Sequence, residues 1–291
     1  MPGAAEPLTC RGLYLELRCA FEAAGLPGAA LEARELLCAG TGRTREALLR
    51  DGPLTQGEEE RVRDLAARHL AGEPVAYLIG EWEFYGLPLT VTPAVLIPRV
   101  DTEVLAEEAI AFVRERGRCR VLDLCAGSGC VGLAVAASAP DCRVVLGELD
   151  PEAMKVCRGN IRRCGLGGRV SAVTLDALRP PPETLGEFQC VVCNPPYIPD
   201  GDVPNLDRSV RDFEPHLALC GGEDGYDFYT AILRHWRDIL APGGRMYFEV
   251  GIGQADTVRA MMRAGEFEDV TVVPDTGGID RVVYGTLAEI I

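Results

Sequence analysis

The chain has 291 residues, 47% of them hydrophobic and 25% charged, with 33 glycines and 20 prolines. These values exclude a low-complexity or disordered chain and leave room for one large domain with a smaller companion. With 44 Asp and Glu against 29 Lys and Arg, the net charge is -15, a surface that repels phosphate backbones and argues against a general nucleic-acid binder.

The first residues, Met1-Pro2-Gly3-Ala4-Ala5-Glu6, carry no basic region backed by an apolar core, and no apolar run is long enough to span a bilayer, so a soluble, cytoplasmic protein is expected. The 12 cysteines are scattered. Cys190-Val191-Val192-Cys193 has CxxC spacing but falls in an apolar run that reads as a strand. Side chains three apart on a strand point to opposite faces and do not readily close on one metal. Reduced thiols acting as small hydrophobes are expected, and no metal site.

In chain order, residues 8 to about 80 show helical spacing: Leu13, Leu17 and Phe21 recur on one face, as do Val62, Leu65 and Leu70. Breaks at Gly25-Leu26-Pro27-Gly28, Gly40-Thr41-Gly42 and Asp51-Gly52-Pro53 divide them into short helices. Glu58-Glu59-Glu60 reads as a solvated face. A helical domain is therefore assigned to 1–80. Over 81–100, Trp82, Phe84 and Tyr85 before Gly86-Leu87-Pro88, with Leu89-Thr90-Val91-Thr92 after, predict a β-hairpin linker.

From 101 to 291 helices and strands alternate. Strands are expected at Arg120 to Leu124, Arg143 to Glu148, Val170 to Leu175, Cys190 to Cys193, Arg245 to Val250, Asp269 to Val273 and Arg281 to Tyr284. Such alternation predicts an α/β domain, a mostly parallel sheet with helices on both faces.

Strand Val121-Leu122-Asp123-Leu124 runs into Cys125-Ala126-Gly127-Ser128-Gly129 and then a helix. In an open parallel sheet this turn lies at the ligand-binding edge, and Gly127 and Gly129 let backbone approach a ligand. Alone it fits a bound nucleoside and a plain tight turn about equally. Glu148 and Asp150 end the next strand, about 20 residues on, where an acid can accept from a ribose diol. Asp150 precedes Pro151 as a helix N-cap would, which leaves Glu148 for the ribose. Asp176, past the third strand, is either an acceptor for an exocyclic adenine amine or a loop cap.

Asn194-Pro195-Pro196-Tyr197 closes the fourth strand on the same edge. Asn194 offers a side-chain carbonyl and Pro195 a main-chain carbonyl, held by proline geometry, while Tyr197 can stack on a planar group. Fixed acceptors suit an amide nitrogen, which must become tetrahedral and partly positive to take a methyl group from a sulfonium. The bland alternative is a rigid turn after a strand.

These residues resemble the PrmC/HemK family of release factor glutamine N5-methyltransferases, over nearly everything from residue 73 onward. Besides the tetrapeptide and glycine loop, Gly72-Glu73-Pro74, Ile97-Pro98-Arg99, Asp101-Thr102-Glu103, Phe213-Glu214-Pro215 and Glu249-Val250-Gly251 with Gln254 look like family signatures. The resemblance implies a class I, Rossmann-like methyltransferase sheet with a small N-terminal helical substrate-recognition domain and a linking hairpin. It also implies S-adenosylmethionine as cofactor and, as acceptor, the glutamine of the Gly-Gly-Gln loop of peptide chain release factors.

Carried over by position, Cys125, Ala126, Gly127, Ser128, Gly129, Glu148 and, through the nucleoside reading, Asp176 would bind the cofactor together with Asn194. Asn194, Pro195, Pro196 and Tyr197 would hold the glutamine amide, and Arg99 and Glu103 would lie near the methionine part. The chain departs from the family pattern at Cys125-Ala126, where Gly-Thr is usual, at Glu148, where Asp is usual, and at Val100, where a second proline is usual. Two alternatives remain: an adenine-N6 methyltransferase acting on nucleic acid, and a protein that binds the cofactor without catalysis. The acidic balance opposes the first and the intact tetrapeptide the second. No direct nucleic-acid binding and no membrane association are expected.

Overall fold

A computed structural model of the chain describes residues 8–288; the Met1–Glu6 stretch read above lies outside them. The chain divides into two units, one of residues up to Gly80 with Arg208–Phe213, the other of Glu81–Asp207 and the remainder from Glu214.

The first unit is helical: α1 (Cys10–Ala23), α2 (Ala29–Thr41), α3 (Arg45–Leu48), α4 (Gln56–Leu70) and α5 (Val75–Ile79). Leu13, Leu17 and Phe21 are buried on α1 as the spacing predicts. On α4 the buried face is Val62, Ala66 and His69, while Leu70 is exposed. Steps of four and seven residues return to one side of a helix, whereas Leu70, eight on from Val62, is rotated about 80° away. Glu58 is not simply solvated: it closes a capping box with Thr55 and pairs with Arg43 at 2.9 Å. Arg208–Phe213, expected in the sheet domain, groups with these helices instead.

The second unit opens with β1 (Glu81–Phe84) and β2 (Leu87–Thr90), antiparallel around Tyr85 and Gly86. Both turn residues have positive φ, +51° and +74°, the requirement of a two-residue type I′ hairpin. The hairpin, read from sequence as a linker, is bonded into this unit. The amide of buried Asn160 accepts from Thr90 N at 2.8 Å and donates to the carbonyls of Thr90 and Ser128, each at 3.0 Å.

There follow α6 (Glu103–Arg116), β3 (Arg120–Leu124), α7 (Cys130–Ser138), β4 (Arg143–Glu148), α8 (Pro151–Arg163), β5 (Val170–Thr174) and β6 (Phe188–Cys193). After the single turn α9 (Arg208–Arg211) of the helical unit come α10 (Asp227–His235), β7 (Leu240–Glu249), α11 (Ala255–Ala264), β8 (Phe267–Pro274) and β9 (Asp280–Leu287). The seven strands are ordered β5-β4-β3-β6-β7-β9-β8, and β9 alone runs against the others.

From β3 the chain builds outward through β4 to β5, then returns to lay β6 on the other side of β3. Their carboxyl ends therefore flank a topological switch point, where ligands bind in such sheets. Helices α6, α7 and α8 cover one face and α10 and α11 the other. Cys190 belongs to the first half of the core and Cys193 to the second, the opposite-face placement expected of a strand.

Gly132 lets α7 lie close on the sheet: a Cβ there would collide with Leu146 Cδ2 and come within 3.0 Å of Asp123 Oδ2. Gly132→Ala should accordingly lower unfolding free energy by about 1–3 kcal/mol, the usual penalty of overpacking. Urea denaturation is the check, and an unchanged midpoint would mean that α7 can lift from the sheet without loss.

Candidate active site at the carboxyl edge of the sheet

The glycine loop leaves β3 through left-handed backbone, with φ of +63° at Cys125, +55° at Gly127 and +83° at Gly129. At Cys125 this conformation costs an L-residue roughly 1–2 kcal/mol that a glycine would not bear. The side chain is retained against the core half that contains Cys193. Gly129 N donates to Ala126 O at 2.7 Å and Ala126 N to Gly147 O at 3.0 Å, closing the loop on β4.

Glu148, at the end of β4, holds this loop as well as facing its cavity. Its Oε2 accepts from Gly127 N at 2.7 Å and its Oε1 from Leu149 N and Asp150 N, each at 2.8 Å. The residue expected to accept from a ribose thus has a structural role that sequence spacing does not reveal. A carboxylate has about four acceptor sites, so capacity remains for a ligand hydroxyl. Asp150 caps α8 through Glu152 N and Ala153 N, each at 2.8 Å. Asp176 caps its own loop through Leu178 N at 2.9 Å and pairs with Arg179 at 3.2 Å.

Together these elements line a cavity of about 420 Å³, within the range of small-molecule sites. Cys125 to Ser128, Glu148, Asp176, Asn194 and Pro196 are all in its wall. Gly129, Pro195 and Tyr197 are not among the lining residues. Asp123, Glu148, Asp150, Glu152 and Asp176 contribute carboxyl groups against the single guanidinium of Arg99, and Leu96, Leu175, Leu178 and Phe228 contribute apolar wall. A cationic ligand with a flat apolar part fits that composition. Arg99 is anchored by an ion pair with Glu214, whose other oxygen accepts from Ile97 N at 3.2 Å. Glu103 is spent elsewhere, accepting from Tyr85 N at 2.8 Å in the hairpin turn.

At the end of β6, Asn194 turns its Nδ2 to Thr102 Oγ1 at 3.4 Å, so the acceptor it can offer the cavity is Oδ1. Gln254 Nε2 donates to the Tyr197 carbonyl at 3.0 Å, and the Tyr197 hydroxyl donates to Glu249 Oε1 at 3.3 Å. The tetrapeptide is thus held from behind, with Tyr197 facing protein.

Two buried carboxyls here ionise reluctantly. Burial pushes Asp123 up to about 7, the neighbouring Glu148 adding to the shift while the Gly132 N–H opposes it. Glu249 is likewise pushed up to about 7 by burial, against hydrogen bonds from Thr102 and Tyr197 and the charge of Arg281. Sequence reasoning assigned no role to Asp123, Thr102 or Glu249. The available signal was an acid inside an apolar strand run, at Asp123 in β3 and at Glu249 closing β7, where charge is rarely buried without purpose.

Solved structures share this architecture. A methyltransferase from Pyrococcus furiosus superposes with a TM-score of 0.54 at 18% identity, covering 77% of this chain and 98% of its own. The hMettl16 catalytic domain, in complex with MAT2A 3′UTR hairpin 6, gives 0.55 at 15% identity, covering 78% and 84%. The fold is the one found in these methyltransferase structures.

Residues 13–80 match the PrmC N-terminal domain and residues 102–207 the methyltransferase small domain. The release factor glutamine methyltransferase of Geobacter sulfurreducens is 42% identical over 267 residues, 90% of this chain and 91% of its own length. Its counterpart in Bradyrhizobium diazoefficiens is 37% identical over 294 residues, 97% of each. The chain belongs to the release factor glutamine methyltransferase family. Among the described residues no helix is long and apolar enough to cross a membrane.

Two outcomes follow from the geometry. Glu148→Gln removes one of the two acceptor oxygens bonded to loop amides, so both cofactor affinity and unfolding free energy should fall, the latter by about 1–3 kcal/mol; paired calorimetric titration and urea melts test this, and an undiminished stability would restrict Glu148 to ligand binding. The second concerns pH. Because the folded-state pKa of Asp123 is raised from 3.8 to about 7, its contribution is fully present below pH 3.8 and lost as pH rises through about 7. Asp123→Asn keeps an acceptor for Gly132 N and should flatten that part of the stability–pH curve between those values.

Proposed function

We propose that the chain transfers a methyl group from S-adenosylmethionine to the side-chain amide nitrogen, N5, of the glutamine in the Gly-Gly-Gln loop of peptide chain release factors. The observation that carries this reading is the placement of Asn194 in the cavity wall beside the glycine loop, with its Nδ2 turned away to Thr102.

Bound S-adenosylmethionine supplies an electrophilic sulfonium methyl. The acidic wall suits its positive charge, the glycine-loop backbone gives it close approach, and Glu148 retains an acceptor site for a hydroxyl. Asp176 lines the same wall, although its loop-capping bonds limit what it can offer an adenine amine.

An amide nitrogen is a weak nucleophile because its lone pair is delocalised into the carbonyl. As that nitrogen becomes tetrahedral and gains positive charge, its N–H groups become stronger donors, and Asn194 Oδ1 binds them more tightly than in the ground state. Pro195 lies outside the cavity wall, and its main-chain carbonyl at the rim is the second acceptor that this reading requires. Pro195 and Pro196 fix the backbone on which both acceptors are carried. The methylated nitrogen is acidic and loses its proton to solvent, so no strong general base is required. The acceptor is a protein loop reached in the cytoplasm, and neither a nucleic acid nor a membrane enters the reading.

Labelled methyl transfer to a folded release factor, beside the same factor with its loop changed to Gly-Gly-Ala and beside duplex and single-stranded DNA, tests the assignment. Label on the parent factor alone is expected; label on DNA would replace it with the adenine reading. In the same assay Asn194→Ala should keep cofactor binding and lower transfer by about 10²–10³-fold, the usual effect of removing one group aimed at developing charge. Unchanged turnover would remove Asn194 from the amide pocket.

A further inference from the structure

We infer that Gln254 is a positioning residue for this transfer: its side-chain amide clamps the main chain at Tyr197 and so fixes where the tetrapeptide presents its acceptors to the cavity. The inference rests on the amide-methylation reading of Asn194 to Tyr197 and deepens it.

The need for a clamp follows from the sequence. Asn194 is carried at the end of β6, whose pairing with β3 and β7 runs up to Cys193. Pro195 and Pro196 have no N–H, so neither can be tied down as a backbone donor. Past them the chain is caught at Tyr197, where Gln254 Nε2 donates to the Tyr197 carbonyl at 3.0 Å and to the Gly225 carbonyl at 3.4 Å. The following peptide is held as well, Ile198 N donating to Leu219 O at 3.0 Å and Ile198 O accepting from Gly221 N at 2.8 Å. The tetrapeptide is thus a short span pinned at both ends, and the place of its middle, which carries the Pro195 carbonyl, depends on both pins.

Gln254 itself is 8% exposed and stands outside the cavity wall. Its Oε1 accepts from Gly251 N at 2.9 Å, which fixes the amide end for end. Turned over, it would set its oxygen against the carbonyls of Tyr197 and Gly225 and its NH2 against the Gly251 N–H.

The residue occupies the N-cap position of α11, where Ser, Thr, Asp or Asn would satisfy free helix amides, yet its side chain makes no capping bond. The side chain is committed to the tetrapeptide and not to its own helix. The facing backbone is shaped to the same contact: a Cβ on Gly225 would collide with the Tyr197 carbonyl oxygen, and one on Gly221 would stand 2.8 Å from Tyr197 Cα. Glycine at both positions lets the segment 219–226 lie directly against the tetrapeptide.

The test compares the parent with Gln254→Met, which fills a similar volume without hydrogen bonds, and with Gln254→Ser, which supplies the side-chain cap that α11 lacks. Methyl transfer to a folded release factor gives kcat and KM, and calorimetry gives cofactor affinity. Amide hydrogen exchange without acceptor compares the Ile198 N–H, at the clamp, with the Val258 N–H, which is bonded to Gln254 O at the start of α11. Both variants should lose about 10–100-fold in kcat, the scale of a misaligned reacting group, and keep KM and cofactor affinity within about twofold. In Gln254→Ser the Ile198 amide should exchange about tenfold faster than in the parent while Val258 keeps its protection, which separates release of the tetrapeptide from fraying of the helix.

Folded variants with the parent's kcat would overturn the inference. So would a loss shared equally by cofactor affinity, or an Ile198 amide that exchanges no faster in Gln254→Ser than in the parent. A parent enzyme that labels no release factor would overturn the proposed acceptor instead; the exchange comparison needs no acceptor and still decides the clamp.

Discussion

The parallel pairing of β3 with β6, with Leu124 opposite Cys193, is the constraint on which the rest of the site depends. The glycine loop begins one residue past Leu124 and the tetrapeptide one residue past Cys193, so loops about 70 residues apart in sequence leave adjacent strands only about 4.8 Å apart. A slip of one residue would turn every side chain of β6 to the wrong face. The register is secured by burial: Val121, Leu122, Val191 and Val192 are 0% exposed and alternate between the two halves of the core. Strand β7 continues the same logic one position outward, and this carries Glu249 to the pocket from the side away from the glycine loop.

Around that edge the fold tolerates features that elsewhere lower stability. Cys125 occupies left-handed backbone, and Asp123 and Glu249 are buried acids whose ionisation is opposed by desolvation. Local rules broken at one place while the surrounding sheet obeys them are characteristic of functional sites. Hydrogen bonds offset part of the loss: the Asp123 carboxyl accepts from Gly132 N at 2.8 Å, and the Glu249 carboxyl accepts from the Tyr197 hydroxyl at 3.3 Å. The unpartnered Glu249 Oε2 is the residue of that compromise.

Much of the sheet was legible because its signals are local. The runs at Arg120 to Leu124 and Arg143 to Glu148 are short, apolar and bounded by turn residues, and Asp150-Pro151 is an N-cap and first-turn pair that needs no tertiary information. The hairpin could be read from Tyr85-Gly86 and its flanking strand residues. Leu70 lies off the buried face of α4 because His69 takes the apolar position beside it, its ring 5.0 Å from Phe21. Arg208–Phe213 could not be assigned to the helical unit from sequence, since nothing in its composition records which helices it packs with. Glu103 and Glu148 show the same limit: the spacing marked them as acids near a site, while their partners were backbone amides brought close only by folding.

By itself, then, the sequence determined the elements, the order of the loops and the chemical kinds of group at the sheet edge, because propensity, patterning and capping act over a few residues. Only the tertiary structure decided that β6 returns beside β3, that Glu148 braces the loop whose cavity it faces, and that Thr102 and Glu249 stand behind Asn194. Those relations depend on strand register and on the direction of hydrogen bonds between residues as far apart as Thr102 and Asn194, and such distances are closed by the packing of the sheet and its helices rather than by any local preference.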